Sequence, residues 1–206
     1  MTVTVIAYDL GMGRWEPNAR GRLEQAAMEL YNQRGFESTT VAEIAERAGL
    51  TERTFFRYYA DKREVLFAGA GELQELLVSK VADAAASLPA IDAVAAALAE
   101  VARLVFEERR EFARQRQVII AANAELQERE LIKLASLASA VAGALRGRGV
   151  SEPAASLAAE AGIAAFKIAF ERWVSETSGR TLSQLIQESV DELKLVAAGR
   201  TSVRSP

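Results

Sequence analysis

Residues 38–64 constrain the fold of this chain more than any other stretch, because they have the pattern of two short helices joined by a glycine turn. Thr40 and Glu43 have the spacing of a capping box, in which each side chain bonds the backbone N–H of the other at a helix start. Gly49 stands where this helix would end, since a residue without Cβ adopts the left-handed conformation at little cost. Thr51 is a suitable N-cap for the next helix. The arrangement predicts a helix-turn-helix, whose second helix is presented to the major groove of DNA.

The second of these helices has one side suited to the protein interior and others suited to DNA. Phe55 and Tyr59 are four residues apart, so they can face the core together. Arg53 and Arg57 then fall on other sides of the helix. A glycine bend also occurs in ordinary helical hairpins, and an arginine on a short helix is usually only solvated. The joint pattern of caps, glycine turn and a basic, aromatic second helix favours DNA binding over that alternative.

Residues 18–67 resemble the TetR family of bacterial transcriptional regulators. The resemblance covers about a quarter of the chain. The motifs that carry it are Tyr31-Asn32-Gln33-Arg34-Gly35-Phe36, Thr39-Thr40-Val41, Ile44-Ala45, Ala48-Gly49-Leu50-Thr51, Thr54-Phe55-Phe56-Arg57-Tyr58-Tyr59 and Lys62. In such regulators a small ligand is held among the helices that follow the DNA-binding domain.

The resemblance also implies which residues touch DNA. Thr40 would contact a phosphate at the start of its helix. Phe56 stands where such regulators often have a tyrosine, so its ring would pack on a sugar or a thymine methyl group. The residues implied to face the major groove are Arg53, Thr54 and Arg57, and those implied to touch the DNA backbone are Tyr58 and Lys62.

The rest of the chain has helical patterns only, so the expected fold class is all-α, with an N-terminal three-helix helix-turn-helix domain and a C-terminal helical regulatory and dimerisation domain. We expect a flexible N-terminal extension at 1–17, the DNA-binding domain at 18–67 and the ligand-binding and dimerisation domain at 68–200. A helix is predicted to begin near Lys62, directly behind the recognition helix. Later helices are predicted at about 91–108, 111–122, 125–146 and 153–176, and after a capping box formed by Thr181 and Gln184.

The composition excludes several classes of site. The chain has 206 residues with no cysteine and no histidine, which excludes disulfides, cysteine-ligated metals, and Ser-His-Asp or Cys-His catalysis. No cofactor and no enzymatic activity are therefore expected. The apolar run within 1–13 is short and lacks a positive flank, and no run of about twenty apolar residues follows. A soluble, cytoplasmic protein without a membrane partner is expected.

The charge of the chain limits how it could hold DNA. The formal net charge is −3, and residues 14–64 contain nine basic and nine acidic side chains. Affinity for DNA must therefore come from the local placement of charges and from doubling in a dimer, not from bulk charge.

The last two helices are the predicted dimer surface. Their apolar stripes, rich in small residues, suit a four-helix bundle made of two helices from each subunit. The alternative is that the stripes close the core of the monomer itself. The predicted interface residues are Leu157, Ala161, Ile168, Leu182, Leu185, Ile186, Val190 and Leu193.

The helices between about 91 and 175 offer a mostly aromatic set of side chains with few polar groups, which suits a small apolar or aromatic ligand. Core packing explains the same apolar residues at least as well. The candidate ligand-binding residues are Arg103, Phe106, Phe112, Arg116, Ile120, Asn123, Phe166, Phe170 and Trp173.

The favoured hypothesis is a small-molecule-responsive repressor that binds a near-palindromic operator as a homodimer. Ligand entry would shift the helix predicted near Lys62 and move the recognition helices apart. One alternative is a DNA-binding regulator without an inducer, which acts as an activator or through a protein partner; a filled core at 91–175 would favour it. Two further alternatives are an enzyme on a helical bundle and a purely structural helical oligomer.

Overall fold

The computed structural model describes residues 18–176 and 179–200, and in them the chain forms nine α-helices and no strand. The helices are α1 (Ala19–Arg34), α2 (Val41–Arg47), α3 (Glu52–Tyr58), α4 (Ala70–Asp83), α5 (Ala90–Val101), α6 (Arg110–Ala121), α7 (Ala124–Gly147), α8 (Ala154–Ser175) and α9 (Leu182–Ala197). The predicted all-α class is confirmed, and the extension predicted at 1–17 lies outside the described residues. None of the described helices combines the length and the hydropathy that crossing a bilayer requires.

The first three helices form the predicted helix-turn-helix. Thr40 Oγ1 accepts from the Glu43 N–H at 3.3 Å, and the Thr40 N–H donates to Glu43 Oε2 at 2.9 Å, which completes the capping box of α2. Gly49 has φ 68°, the left-handed conformation expected after α2. Thr51 caps α3 by accepting from the Thr54 N–H at 3.2 Å. The local signals of the sequence therefore determine this motif.

The helix predicted to begin near Lys62 starts later than expected. Asp61 accepts from the Glu64 N–H at 3.2 Å, as a cap would, but only a 3₁₀ turn forms, at Glu64–Phe67. Gly69 follows with φ 81°, which breaks the helical path, and α4 begins at Ala70. The helix predicted at 91–108 is also interrupted, because α5 ends at Val101 and a π-helical turn, Ala102–Phe106, follows it.

The buried apolar side chains form two large clusters that do not follow chain order. The first cluster contains α1, α2 and α3, and with them Ile119 and Ile120 of α6 and Leu126 of α7. The second cluster contains most of the remaining core of α4 to α9, including Ala113 of α6. The C-terminal half of α6 and the start of α7 therefore belong to the core of the helix-turn-helix, although they lie more than fifty residues away in sequence.

Helix α8 is the centre of the second cluster, since it packs against α5, α7 and α9. Gly162 lies where α8 meets α5. A Cβ on this residue would be 2.4 Å from Val94 Cγ1, closer than two non-bonded carbon atoms approach in proteins. The absence of a side chain at Gly162 therefore sets how closely these two helices pack.

Candidate nucleic-acid interface

Helix α3 buries one side and presents the other sides to solvent. Phe55 is fully buried, whereas Arg53, Phe56, Arg57 and Tyr58 are exposed. The Arg57 guanidinium donates to the Tyr58 hydroxyl at 3.2 Å and lies 5.0 Å from the centre of the Tyr58 ring. This contact holds a cation and a phenol side by side on the exposed surface. The arrangement offers donors for base edges and phosphates, and an aromatic face for sugars and methyl groups.

Thr54 is the most enclosed of the residues implied to face the groove. Its side chain is half-buried, and its hydroxyl lies 3.1 Å from the hydroxyl of the cap residue Thr51. A base contact by Thr54 would therefore compete with this hydrogen bond.

Thr40 is exposed at the start of α2, but its hydroxyl already has partners. Thr40 Oγ1 donates to Glu43 Oε2 at 2.8 Å, and Glu43 also pairs with Arg34 at 2.9 Å. Hydrogen bonds from the Thr40 backbone and hydroxyl hold the pKa of the Glu43 carboxyl below its usual value. A phosphate at Thr40 would have to replace this carboxylate as the acceptor of the hydroxyl proton.

Four of the candidate ligand-binding residues lie together. The ring of Phe106, at the end of the π-helical turn, is 6.0 Å from that of Phe166 and 5.8 Å from that of Phe170, measured between centroids. Phe170 is also 5.8 Å from Trp173. We call these four residues the aromatic cluster. Trp173 is fully buried and the three phenylalanines are partly buried against the second core.

The other candidate ligand-binding residues are elsewhere, which corrects the prediction of a single pocket. Ile120 is fully buried in the helix-turn-helix core, and the Asn123 amide donates to the Ile119 carbonyl at 2.6 Å. Arg116 Nε donates to the Leu66 carbonyl at 2.6 Å. Arg103 and Phe112 are exposed. The spacing of an amphipathic helix does not distinguish which of two cores each residue enters, and α6 enters both.

The predicted dimer residues divide into two groups. Leu182, Leu185, Ile186 and Val190 have 0% of their area exposed in the single chain, and Leu193 is half-buried. The first four close the core of the monomer, which is the alternative that the sequence analysis left open. Their assignment to a dimer surface is therefore wrong. A side chain with no exposed area cannot contribute area to a second subunit.

A different stripe remains open on the outside of α8. Leu157 is 65% and Ile168 is 54% exposed, and Ala161 and Ala164 lie between them at helical spacing. We call these four residues the outer α8 stripe. Leu195 and Val196, near the end of α9, are also exposed. An open stripe of large and small apolar residues suits close packing of a second helix.

The junction between the two cores contains charged residues to which the sequence analysis assigned no binding role. A cleft of about 220 Å³ there is lined by Asp61, Arg63, Glu64 and Arg129, among others. Arg129 Nε donates to Glu64 Oε1 at 2.6 Å, and the pair is separated by 65 residues in sequence. No local pattern could have indicated this contact, because it depends on how α7 returns to the helix-turn-helix.

Two family models match the chain and together cover most of it. Residues 24–68 match the model of bacterial regulatory proteins of the tetR family, and residues 88–198 match the MftR C-terminal domain. The second match covers more than half of the chain. The protein belongs to the TetR family. It is therefore a DNA-binding transcriptional regulator and not an enzyme, as the sequence analysis predicted.

Two curated transcriptional regulators match part of this chain. The transcriptional regulator TcmR of Streptomyces glaucescens is 38% identical over 60 residues, 29% of this chain and 26% of TcmR. The putative mycofactocin biosynthesis regulator MftR of Mycobacterium tuberculosis is 34% identical over 58 residues, 28% of this chain and 29% of MftR. The matched region thus spans only about a quarter of each relative.

Solved TetR-family structures share the fold over nearly the whole chain. FadR of Thermus thermophilus, a repressor solved with lauroyl-CoA, has a TM-score of 0.57 and 24% identity and covers 91% of this chain and 97% of its own. The SmeT–triclosan complex has a TM-score of 0.62 and 20% identity and covers 91% and 98%. At these identities the likeness shows the fold alone.

Lys62, which the TetR resemblance implies as a DNA-backbone contact, is half-buried and bonded to backbone carbonyls of the protein itself. Its ammonium donates to the carbonyls of Phe36 at 2.8 Å, Thr39 at 3.0 Å and Glu37 at 3.2 Å. It also lies 4.3 Å from the centre of the Phe36 ring. An ammonium has three protons, so these carbonyls can use all of them. The contacts tie the loop after α3 to the loop before α2.

The Lys62→Met variant should lose stability rather than a phosphate contact. We expect a fall of about 1.5–3 kcal/mol in the free energy of unfolding, the range for hydrogen bonds to charged groups. The salt dependence of DNA binding should not change, whereas loss of a phosphate contact would reduce the slope of log K against log salt by about 0.9. Urea denaturation and DNA titrations at several salt concentrations measure the two effects. Lys80→Met, which removes an equal charge paired with Glu100, is the control.

Proposed function

We propose that this TetR-family regulator is a small-molecule-responsive repressor that acts in the cytoplasm as a homodimer on a near-palindromic operator. The observation that supports it most is the exposed surface of α3, where Arg53, Phe56, Arg57 and Tyr58 stand together. One such surface reads only a few base pairs. Two copies about 34 Å apart, one turn of DNA, would bind two half-sites and gain affinity through their linkage.

The outer α8 stripe supports the homodimer. A monomer that left Leu157 and Ile168 exposed at opposite ends of one apolar stripe would keep an unfavourable surface in water. Packing against the same stripe of a second copy buries both, and a twofold axis through α8 requires no other surface. Ala161 and Ala164 allow the two helix backbones to approach closely.

The aromatic cluster supports a response to a small apolar ligand. Three of its four rings are only partly buried, and Phe106 ends a π-helical turn. Such turns are rare in proteins overall. Those that occur are often found at functional sites, because the wider helix can change its register there. A ligand that entered between α8 and this turn would displace Phe106 at low cost. FadR of T. thermophilus and SmeT, which share the fold, were solved with lauroyl-CoA and triclosan.

A regulator without an inducer remains the second candidate, and one observation favours it. The rings of the aromatic cluster are in mutual contact, with centroids 5.8–6.0 Å apart, so they fill the space between them. Under this alternative the cluster is core, and control comes from a protein partner. Calorimetric titration of lauroyl-CoA and triclosan into the free protein and into its operator complex separates the two candidates.

The titration has opposite outcomes for the two candidates. An inducer must bind the operator complex more weakly than the free protein by the same factor by which it weakens operator binding, typically 5- to 150-fold. Phe170→Ala should then reduce ligand affinity without changing operator affinity. Equal affinity of a probe for both forms, or no binding of either probe, would favour the regulator without an inducer.

The Arg57→Ala variant should lose specific DNA binding. If Arg57 makes a bidentate contact to a guanine, its removal should cost about 1–3 kcal/mol, most of it against the preferred base. The operator can be selected from random duplexes with the wild-type protein, and affinities compared by fluorescence anisotropy with competitor DNA. Arg47→Ala is the matched control, because Arg47 is exposed on α2 and pairs with Glu29 at 3.2 Å. Wild-type operator affinity in Arg57→Ala would place the recognition surface elsewhere.

A further inference from the structure

Arg116 lies at the point where α6 passes from one core to the other. Ala113, one turn before it, belongs to the second core, and Ile119 and Ile120, one turn after it, belong to the helix-turn-helix core. If α6 changes position in the second core, the change must pass Arg116 to reach the helix-turn-helix core, or the helix must deform at Arg116.

The guanidinium of Arg116 binds both sides of this junction. Its Nε donates to the Leu66 carbonyl at 2.6 Å, and its Nη1 donates to Glu130 Oε1 of α7 at 3.2 Å. The guanidinium carbon also lies 5.0 Å from the centre of the Phe67 ring. Leu66 and Phe67 belong to the 3₁₀ turn that connects the helix-turn-helix to α4. The end of such a turn leaves carbonyls without a partner inside the turn, and Arg116 supplies one.

These contacts are shielded from water. The side chain of Arg116 is 19% exposed and that of Glu130 is 23% exposed. Burial lowers the pKa of Arg116, while the Glu130 carboxylate acts in the opposite direction. A shielded charge is costly to leave without its partners, so the junction has one strongly preferred arrangement.

The other end of the same turn is held independently. Glu64 accepts from Arg129 Nε at 2.6 Å and from Lys133 Nζ at 3.2 Å, both from α7. The 3₁₀ turn is therefore bound to α7 at its start and to α6 at its end. Both helices enter both cores, since Leu126 of α7 belongs to the helix-turn-helix core and Leu137 of α7 to the second core.

We propose that Arg116 is a positioning residue for DNA binding, which fixes the orientation of the helix-turn-helix relative to the regulatory helices through the Leu66 carbonyl. The rigid connection lets the regulatory helices set where α3 lies, so that a displacement of α6 reaches the recognition helix through this side chain. The inference concerns one subunit and does not depend on an inducer.

The test measures a distance within one subunit. The chain has no cysteine, so spin labels can be placed by Glu46→Cys on α2 and Ser139→Cys on α7, both exposed. When labelled chains are diluted with unlabelled ones, the measured distance is that between the two labels of one subunit. It therefore reports how the helix-turn-helix lies relative to the regulatory helices. The parent protein should give one narrow distance distribution by double electron–electron resonance. Arg116→Met, which keeps the apolar stem and removes the donors, should broaden or shift this distribution by several ångströms.

Two further variants make the result decisive. Arg114→Met is the matched control, since Arg114 is exposed on the same helix and, within the part of the chain that the structure describes, forms its ion pair with Glu111, also on α6. It should leave the distribution unchanged. Arg116→Lys keeps the charge but cannot reproduce the fork of the guanidinium, so it should broaden the distribution less. If Arg116→Met loses the helical circular dichroism spectrum, Arg116→Lys decides alone. Distributions that match the parent in every folded Arg116 variant would overturn the proposal.

Operator binding gives a second readout. Arg116→Met should bind the selected operator at least about five-fold more weakly, the lower end of typical coupling between sites, with an unchanged salt dependence. A variant that only lost stability would bind normally below its unfolding temperature. Failure to find a dimer or an inducer would count against the proposed function and would leave the distance measurement valid.

Discussion

The Ile168→Glu variant should be a folded monomer whose affinity for the operator is about 100- to 10,000-fold lower, because linked binding of two half-sites is lost. Ile168 is more than half exposed in the single chain, so a carboxylate there costs the monomer little. In a twofold dimer through the outer α8 stripe, the same carboxylate would be buried near its own symmetry copy. Desolvation and like-charge repulsion then both oppose association.

The oligomeric state is measured by sedimentation equilibrium and the affinity by anisotropy, with circular dichroism as the test of folding. Ile132→Glu is the matched control, because it makes the same replacement at a residue of α7 that is 51% exposed. A monomer from Ile132→Glu and a dimer from Ile168→Glu would place the interface on α7. Leu185→Glu should not give a folded monomer, since Leu185 is wholly inside the core and a carboxylate there has no partner.

The Gly162→Leu variant should lose at least about 3 kcal/mol of the free energy of unfolding, the upper end of the usual cost of overpacking a core. The first added carbon already lies 2.4 Å from Val94 Cγ1 and 3.3 Å from Val94 Cβ. Valine in a helix has one strongly preferred rotamer, so Val94 cannot turn away easily. The helices α5 and α8 would have to separate, which opens the second core. The urea-denaturation midpoint and slope measure the loss.

A pair of alanine variants separates this contact from the intrinsic effect of glycine. Gly143→Ala, in the C-terminal part of α7, should stabilise by about 0.5–1 kcal/mol, because alanine has the higher helix propensity. Its new Cβ would meet nothing nearer than Arg146 Nη2 at 3.7 Å. Gly162→Ala has the same propensity gain but should destabilise, and Val94→Ala in addition should recover part of the loss. Stabilisation by Gly162→Ala would refute the close approach of α5 and α8.

Much of the DNA-binding unit was predictable because its signals are local. Thr40 and Glu43 are three residues apart, Gly49 needs no contact to favour a left-handed turn, and Thr51 caps the helix that it precedes. Each of these acts within one helical turn, so the order of residues along the chain is sufficient. The resemblance to the TetR family rests on the same residues, and the family models confirm it. The DNA contacts of α3 stay predictions until the variants are measured.

The start of α4 and the role of Lys62 were not predictable in this way. Lys62 donates to three carbonyls 23 to 26 residues before it, and such contacts leave no periodic trace in the sequence. The turn at Glu64–Phe67 is likewise held by α6 and α7, from residues 50 to 69 positions away. A capping pattern at Asp61 was present, but the following Gly69 and these tertiary bonds decided that a short turn would form.

The sequence by itself determined the all-α class, the helix-turn-helix and nearly all helix boundaries, because caps, breakers and apolar periodicity act over a few residues. The tertiary structure decided which of two cores each apolar stripe enters. That choice placed Ile120 with the recognition unit, turned Leu185 inward and left Ile168 open to solvent. Periodicity shows that a helix has an apolar side but not what covers it, since the covering residues are distant in sequence and are selected by the packing of the whole chain.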